Sequence, residues 1–290
     1  MRIVITGPNG FIASNIILKL NKKNEIILLS NKKPKFQFLK KFKMIKFDLK
    51  KNIIPNIDCD ILIHAAAITP QKKYSFKEFE KTNFKSLKEI VKNIKIKKKI
   101  IFFSTSDIYK NQEKHFMLKE NMHINIKKLS AYAKSKYKCE DYLKKLDPKK
   151  FSFEKIILRL PGIVGENNHK NFISNITNNI LNNRKFTIFG GENYFNNIFH
   201  IHSLTKFVNE LIEIKIKKNF EIINLCAKNP MKIKNILLLL GSKITPTKLK
   251  LSKKNMFTMN ADKLNKYFKY NLNTKKILTK YKKEIISKNK

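Results

Sequence analysis

Hydrophobic positions fall along this chain in short runs separated by charged stretches. Apolar or β-branched runs occur at Ile3–Thr6, Glu25–Ser30, Met44–Phe47, Ile61–His64, Ile100–Ser104 and Lys155–Leu160. Runs of that length with near-continuous apolar character predict strands covered on both faces. Between them, apolar residues recur at helical spacing, first at Phe11, Ile12, Ile16, Ile17 and Leu20, then near Phe76–Ile94 and Ala131–Leu146. Strands alternating with helices predict an α/β fold with a doubly wound parallel sheet. Beyond Leu160 the regularity breaks. Gly162, Gly165 and the Gly190-Gly191 pair punctuate shorter pieces, with helical patterns at Phe172–Leu181, Leu204–Ile212 and Ala261–Phe268.

Glycine sharpens this picture, because the chain has only seven and two of them fall in the first ten positions. Gly7 and Gly10 stand between the first apolar strand and the first helix. That order is the one a dinucleotide-phosphate turn requires: Gly7 permits the tight turn, and Gly10 lets backbone N–H groups approach a pyrophosphate at the positive helix end. Ala13 lets the helix pack closely on the strand. Taken alone, such a turn also serves as an ordinary strand-to-helix connection. In this setting it predicts a Rossmann-type NAD(P)-binding domain over residues 1–165, with a later strand and helix near 195–226 returning to it. A smaller lobe, residues 166–290, is expected to be mainly substrate-binding.

Composition changes the picture less than its extremes suggest. The formal charge is +42, yet of 63 basic residues only Arg2, Arg159 and Arg184 are arginine, the side chain suited to bidentate phosphate and base contacts. The lysines are scattered doublets, which reads as solvated surface, and no nucleic-acid partner is expected. Cys59, Cys139 and Cys226 are odd in number and far apart, with no disulfide or metal spacing. His200 and His202 would share a face on a strand, but no third ligand type accompanies them, so no metal is expected. The longest apolar stretch, near Ile236 to Leu240, is too short to span a bilayer. The first strand starts at residue 2, leaving no room for a signal peptide ahead of it, so a cytoplasmic protein without membrane contact is expected.

Candidate chemistry lies in the second half of the sheet. Tyr132 and Lys136 stand four apart on the helix predicted near Ala131–Leu146, on one face. A phenol is a poor acid–base at neutral pH, and a neighbouring ammonium draws its pKa down. The pair gains meaning from the segment upstream, a buried strand ending in Ser104, Thr105 and Ser106. Hydroxyls at the carboxyl edge of a parallel sheet sit where ligands bind, although they also cap helices and turns.

Together these segments resemble the extended short-chain dehydrogenase/reductase family, the NAD-dependent epimerases/dehydratases. The matching pieces are Thr6 to Ala13, Phe47-Asp48-Leu49, Ile63 to Ala67, Thr82-Asn83, Ser104 to Tyr109, Tyr132-x-x-x-Lys136 and Leu158 to Gly165, in family order over about residues 1–165. The resemblance implies that Tyr132 is the acid–base, that Lys136 lowers its pKa and grips the nicotinamide ribose, and that Thr105 hydrogen-bonds the reacting oxygen. It implies a pyrophosphate turn at Gly7, Gly10, Phe11 and Ile12. Asp48 and Leu49 would lie beside the adenine, and Ala65, Ala66 and Ala67 along the ribose. Ser30, Asn31, Asn83 and Ser104 join the cofactor-binding set, and Pro161 and Ile163 would meet the carboxamide. The end of the second strand, Leu29 to Lys33, carries no acid to bind a ribose 2′-hydroxyl, so NADP is expected at least as readily as NAD.

Three departures bear on the reaction. Gly162 stands three after Arg159, where many sugar epimerases of the family carry Asn. Ser106-Asp107 supplies one carboxylate where the dehydratases place an acidic pair. Asn196-Asn197 stands where the family often has an arginine. The leading expectation is therefore a 4-keto nucleotide-sugar reductase, with a nucleotide-sugar epimerase as alternative. A non-catalytic Rossmann binding or RNA-associated protein comes next. A homodimer is expected as the assembly.

Overall fold

The computed structural model describes residues 1–290 except 22, 71, 217, 242–246, 251–255, 270–271 and 289–290. Strand β1 (Arg2–Thr6) leads into α1 (Phe11–Lys19), followed by β2 (Glu25–Ser30), β3 (Lys43–Lys46) and β4 (Ile57–His64). Next come α2 (Phe76–Phe79), a π-helical turn (Glu80–Lys85), α3 (Ser86–Asn93), β5 (Ile94–Thr105), α4 (Ala131–Lys145) and β6 (Glu154–Leu160). The remainder comprises β7 (Gly162–Val164), α5 (Phe172–Leu181), β8 (Phe186–Phe189), β9 (Tyr194–Phe195), β10 (Ile198–His200), α6 (Ile201–Glu213) and β11 (Phe220–Asn224). It ends with β12 (Met231–Lys232), α7 (Ile233–Leu240), β13 (Thr247–Lys250), α8 (Asp262–Tyr267) and α9 (Thr274–Lys288).

Seven strands form one parallel sheet in the order β11-β6-β5-β4-β1-β2-β3. The order reverses at β1, which pairs with β2 on one side and β4 on the other. Such a switch opens a crevice at the carboxyl ends of the strands. Thr6 is in register with Leu29 and with His64, and His64 with Phe102, so these four side chains form one row across that edge.

The described chain divides into two compact units that interleave in sequence. The first holds Met1–Ile108, Leu129–Arg159 and Leu204–Ile223; the second holds Tyr109–Lys128, Leu160–Ser203 and Asn224–Lys290. The core of the first joins Val4, Leu62, Phe102 and Ile157 from the sheet to Leu87, Ile90 and Leu143 from its helices. The core of the second gathers Ile176, Ile198, Ile236 and Tyr281.

Several boundaries depart from the apolar pattern. The helix expected over Phe76–Ile94 contains the π-helical turn and ends at Asn93, and β5 starts at Ile94 rather than Ile100. The extra residues alternate Ile94, Ile96 inward with Lys95, Lys97 outward, a half-buried pattern that lacks the continuous apolar run of the rest of the strand. Their charge is balanced across the pairing, with Lys97 Nζ 2.5 Å and Arg2 Nη1 2.7 Å from Asp58. His200 ends β10, but His202 lies in α6, so the two do not share a strand face.

Candidate active site

The turn after β1 is shaped by a steric demand. Gly7 has φ +69°, and a Cβ there would lie 3.0 Å from Ala66 Cα and 3.1 Å from Ala66 N, both backbone atoms. The Gly10 N–H donates to Gly7 O at 3.0 Å, and Gly10 begins α1 without a side-chain cap or an acid in the first turn, which opens with Phe11 and Ile12. A helix N-terminus so arranged suits an anion. Beside it lies a cavity of about 370 Å³ whose walls include Gly7, Gly10, Ser30, Asn31, Asp48, Leu49, Ala65, Ala66 and Ala67. Lys32, Lys50, Ile68 and Thr82 also line it, and the sequence had not singled them out as site residues.

Hydrogen bonds set the walls of this cavity. Asn9 holds the loop after β2, accepting from the Lys35 N–H at 2.7 Å and donating to Lys33 O at 3.0 Å. Asp48 accepts from the Lys50 N–H at 2.9 Å and from Asn31 Nδ2 at 3.4 Å. Burial works to raise the Asp48 pKa, but these bonds and that from the Lys51 N–H hold the carboxyl below its usual range. Thr6 Oγ1 accepts from the Ala65 N–H at 3.1 Å and the Ala66 N–H at 2.9 Å, and lies 2.9 Å from His64 Nδ1. Asn83, on the π-helical turn, accepts from the Ile68 N–H and donates to Ile68 O and Ser135 Oγ. It clamps the loop after β4 to α4. A π-helical turn often marks a functional segment.

Thr105 ends β5 in a buried position, where its side chain acts on the Tyr132 phenol and its Oγ1 accepts from the Asp107 N–H at 3.1 Å. Helix α4, N-capped by Ser130, carries both Tyr132 and Lys136. Burial and then the Asp107 carboxylate push the Tyr132 phenol upward, while the Thr105 hydroxyl draws it down. This direction is opposite to the one predicted from the Tyr-x-x-x-Lys spacing. Lys136 Nζ instead sits 4.1 Å from the centre of the Phe102 ring, and burial draws its pKa down to about 8.

Ser104, Pro161 and Ile163 also belong to the predicted cofactor set. Ser104 Oγ donates to Glu140, a carboxylate also held by Arg159. Pro161 and Ile163 fall in the second unit, where the Ile163 carbonyl accepts from Asn171 Nδ2 at 3.0 Å. Asn196 is also structural: its amide donates to Ala227 O and Met259 O and accepts from the Met259 N–H.

His200, His202 and Glu284 converge, their ligating atoms lying within 4.8 Å of one another. The sequence expectation that no third ligand accompanies the two histidines is therefore corrected: α9 brings Glu284 from 82 residues beyond His202. The His202 N–H donates to His200 Nδ1 at 3.2 Å, which leaves the His200 proton on Nε2, 2.9 Å from Glu284 Oε2. Lys280 Nζ stands 3.1 Å from His202 Nδ1, so an ammonium already serves this group of acceptors. Among the described residues, no helix is long and apolar enough to cross a membrane.

The sequence profile of the NAD dependent epimerase/dehydratase family matches residues 3–226. The ADP-L-glycero-D-manno-heptose-6-epimerase of Brachyspira hyodysenteriae is 29% identical over 233 residues, covering 73% of this chain and 72% of that protein. The dTDP-D-glucose 4,6-dehydratase of Dictyostelium discoideum is 30% identical over 231 residues, 68% of this chain; the chain spans about half of that protein, 52%. Among solved structures, the UDP-glucuronic acid 4-epimerase from Bacillus cereus in complex with NAD superposes with a TM-score of 0.75 at 23% identity, covering 100% of both chains. The UDP-glucose 4-epimerase from Thermotoga maritima, with UDP-glucose, gives 0.78 at 17% identity, again over 100% of both.

Proposed function

The chain belongs to the NAD-dependent epimerase/dehydratase family and is an enzyme of the extended short-chain dehydrogenase/reductase type; from that premise we propose that it epimerises a nucleotide sugar with a bound NAD(P). The observation that carries this reading is the buried grouping of Thr105, at the end of β5, with the Tyr132 phenol on which its side chain acts, and with Lys136 one helical turn on. Relatives named as sugar-nucleotide epimerases support inversion as the reaction.

The cavity of the first unit fits a dinucleotide. A Cβ at Gly7 would fill the turn against Ala66, and the start of α1 faces anions without a side-chain cap. Gly7, Gly10, Phe11 and Ile12 would hold the pyrophosphate, Asp48 and Leu49 the adenine side, and Ala65 to Ala67 the ribose. Asn83 keeps its place in this set as a clamp on the loop that carries those alanines.

When bound, the cofactor supplies the hydride acceptor and, on the return step, the donor. Tyr132 takes the proton from the substrate hydroxyl as the adjoining C–H bond is broken, leaving a ketone, and returns that proton after the sugar presents its other face. Thr105 donates a hydrogen bond to the oxygen where charge develops. For Tyr132 to act as the base, the Lys136 ammonium would have to turn from the Phe102 ring to the phenol oxygen, where its charge would offset the cost burial imposes on the tyrosinate. We assign substrate binding mainly to the second unit. Its cavity of about 660 Å³, lined by Tyr109, Gln112, His115, Phe189, Asn193 and Phe257, has the mixed aromatic and polar walls a nucleotide sugar needs.

A 4-keto reductase is the second reading, favoured by one observation. The Asn196 amide is already engaged by Ala227 and Met259 and offers no cation to a diphosphate. The two readings separate on cofactor stoichiometry. The epimerase interconverts nucleotide-sugar isomers, followed by NMR, without net change in cofactor absorbance. Stoichiometric oxidation of added reduced cofactor by a 4-keto nucleotide sugar, with no isomer exchange, establishes the reductase instead. Tyr132→Phe removes either activity by about 10²-fold or more, the loss expected for a general acid–base.

A further inference from the structure

We propose that His64 is a positioning residue of the cofactor site, holding Thr6 in the one orientation that fixes the Ala65–Ala66 wall of the cavity. The proposal rests on the reading of that cavity as the dinucleotide site. A threonine hydroxyl has one proton and two lone pairs. Both lone pairs of Thr6 are engaged, by the Ala65 N–H at 3.1 Å and the Ala66 N–H at 2.9 Å. The hydroxyl proton then points to its remaining close partner, His64 Nδ1 at 2.9 Å. His64 is therefore a neutral ring with its proton on Nε2. A second proton at Nδ1 would face an oxygen with no lone pair left and would displace one of the wall N–H groups.

The surroundings keep the ring in that state. His64 is only 2% exposed. Burial first, and then the Lys136 ammonium, pull its pKa down to about 3. The ring stacks on Phe102 at 5.9 Å and 16°, and Lys136 sits over the same Phe102 ring. Thr6, His64 and Phe102 are register partners on β1, β4 and β5, so strand pairing sets their spacing. The wall has little slack, because Ala66 already limits the turn at Gly7 to a residue without a Cβ.

Two substitutions separate this role from mere packing. His64→Phe keeps the ring on Phe102 and removes the acceptor; His64→Asn gives up the ring and returns an acceptor close to Cβ. Dissociation constants for NAD and NADP, measured by calorimetry on the full chain, are expected to rise at least tenfold in His64→Phe. In His64→Asn they should stay within about threefold of the starting protein, although the Asn variant unfolds at lower denaturant. A packing role gives the reverse ranking, with Phe binding like the starting protein and Asn binding worse, and that result overturns the proposal. If His64→Phe does not fold, Thr6→Val and Thr6→Ser carry the test: Val loses affinity tenfold and Ser retains it, whereas equal affinity in both overturns it. Failure of the unsubstituted protein to bind either dinucleotide overturns the proposed function itself, a result distinct from either ranking of variants.

Discussion

The guanidinium of Arg159 and the carboxylate of Glu140 form an ion pair closed to water, with Nη2 2.7 Å from Oε2 and side chains only 2% and 3% exposed. Ser104 Oγ donates to the same carboxylate. Glu140 lies one helical turn beyond Lys136 on α4, while Ser104 immediately precedes Thr105 on β5. The pair on β6 and α4 thus ties the helix bearing Tyr132 and Lys136 to the strand bearing Thr105.

Breaking that pair from one side leaves a charge buried without its partner. Glu140→Gln should cost about 3–5 kcal/mol in urea unfolding, the range for uncompensated buried charges. Replacing both residues, as in Glu140→Met with Arg159→Leu, should cost less than the single change, because no charge is then stranded. A single variant within about 1 kcal/mol of the starting protein would remove the tie from the account.

Gly7→Ala should be damaging and Gly10→Ala much less so. At Gly7 an added Cβ meets Ala66 backbone at 3.0 Å in a left-handed conformation, which by itself costs a non-glycine residue about 1–2 kcal/mol. Gly10 has φ −76°, and its Cβ would meet only Gly7 O, at 3.3 Å. Thermal unfolding and dinucleotide titration of both variants give the check: the expected order is a large loss of stability and binding at position 7 and a small one at 10. Equal behaviour of the two would contradict the steric reading of the turn.

Lys136 places a pH signature on stability. Burial holds its folded pKa at about 8, below the ordinary lysine value of 10.5. Between those values the unfolded chain binds the extra proton, so this contribution to stability rises with pH across that window. Below about pH 8 the folded protein carries the full cost of a buried charge, roughly 3 kcal/mol from the 1.36 kcal/mol per pKa unit. Lys136→Met should accordingly be more stable than the starting protein at pH 7, with the advantage shrinking toward pH 10.5. Denaturant titrations of both proteins across that range test it; a difference independent of pH would show that the ammonium carries no such cost.

Much of the first unit can be read from sequence because a strand buried on both faces appears as an apolar run, and the residues at the ends of such runs line the crevice. Gly7, Asp48 and Ala65 to Ala67 reach one cavity for that reason. Features set by tertiary contact were hidden. The π-helical turn at Glu80–Lys85 has no compositional mark, yet it aims Asn83 at Ile68 and Ser135. In α9, lysines every few residues mask the helical pattern, and Glu284 meets His200 only through folding. The spacing of Tyr132 and Lys136 places them on one helix face but carries no information about burial, which decides the pKa direction of both.

The end of β2 gives the proposed dinucleotide site a testable expectation about cofactor preference. Ser30, Asn31 and Lys32 line the cavity there, and Ser30 Oγ accepts from the Lys32 N–H at 3.1 Å, which sets the turn after the strand. A carboxylate in this place would bind a ribose 2′-hydroxyl and repel a 2′-phosphate. The nearest acid on the cavity wall, Asp48, already accepts hydrogen bonds from the Lys50 N–H and Asn31. With Lys32 and Lys50 on the wall, a 2′-phosphate bound there would meet cations rather than a free carboxylate. The expected outcome is a dissociation constant for NADP(H) equal to or below that for NAD(H), with NADP(H) binding weakening more steeply as salt is raised. Ser30→Asp should reverse the order by installing the missing carboxylate. If the unsubstituted protein binds NAD(H) more than about tenfold tighter, a difference of 1.4 kcal/mol, the lysines on this wall do not meet the 2′-position and the preference is set elsewhere.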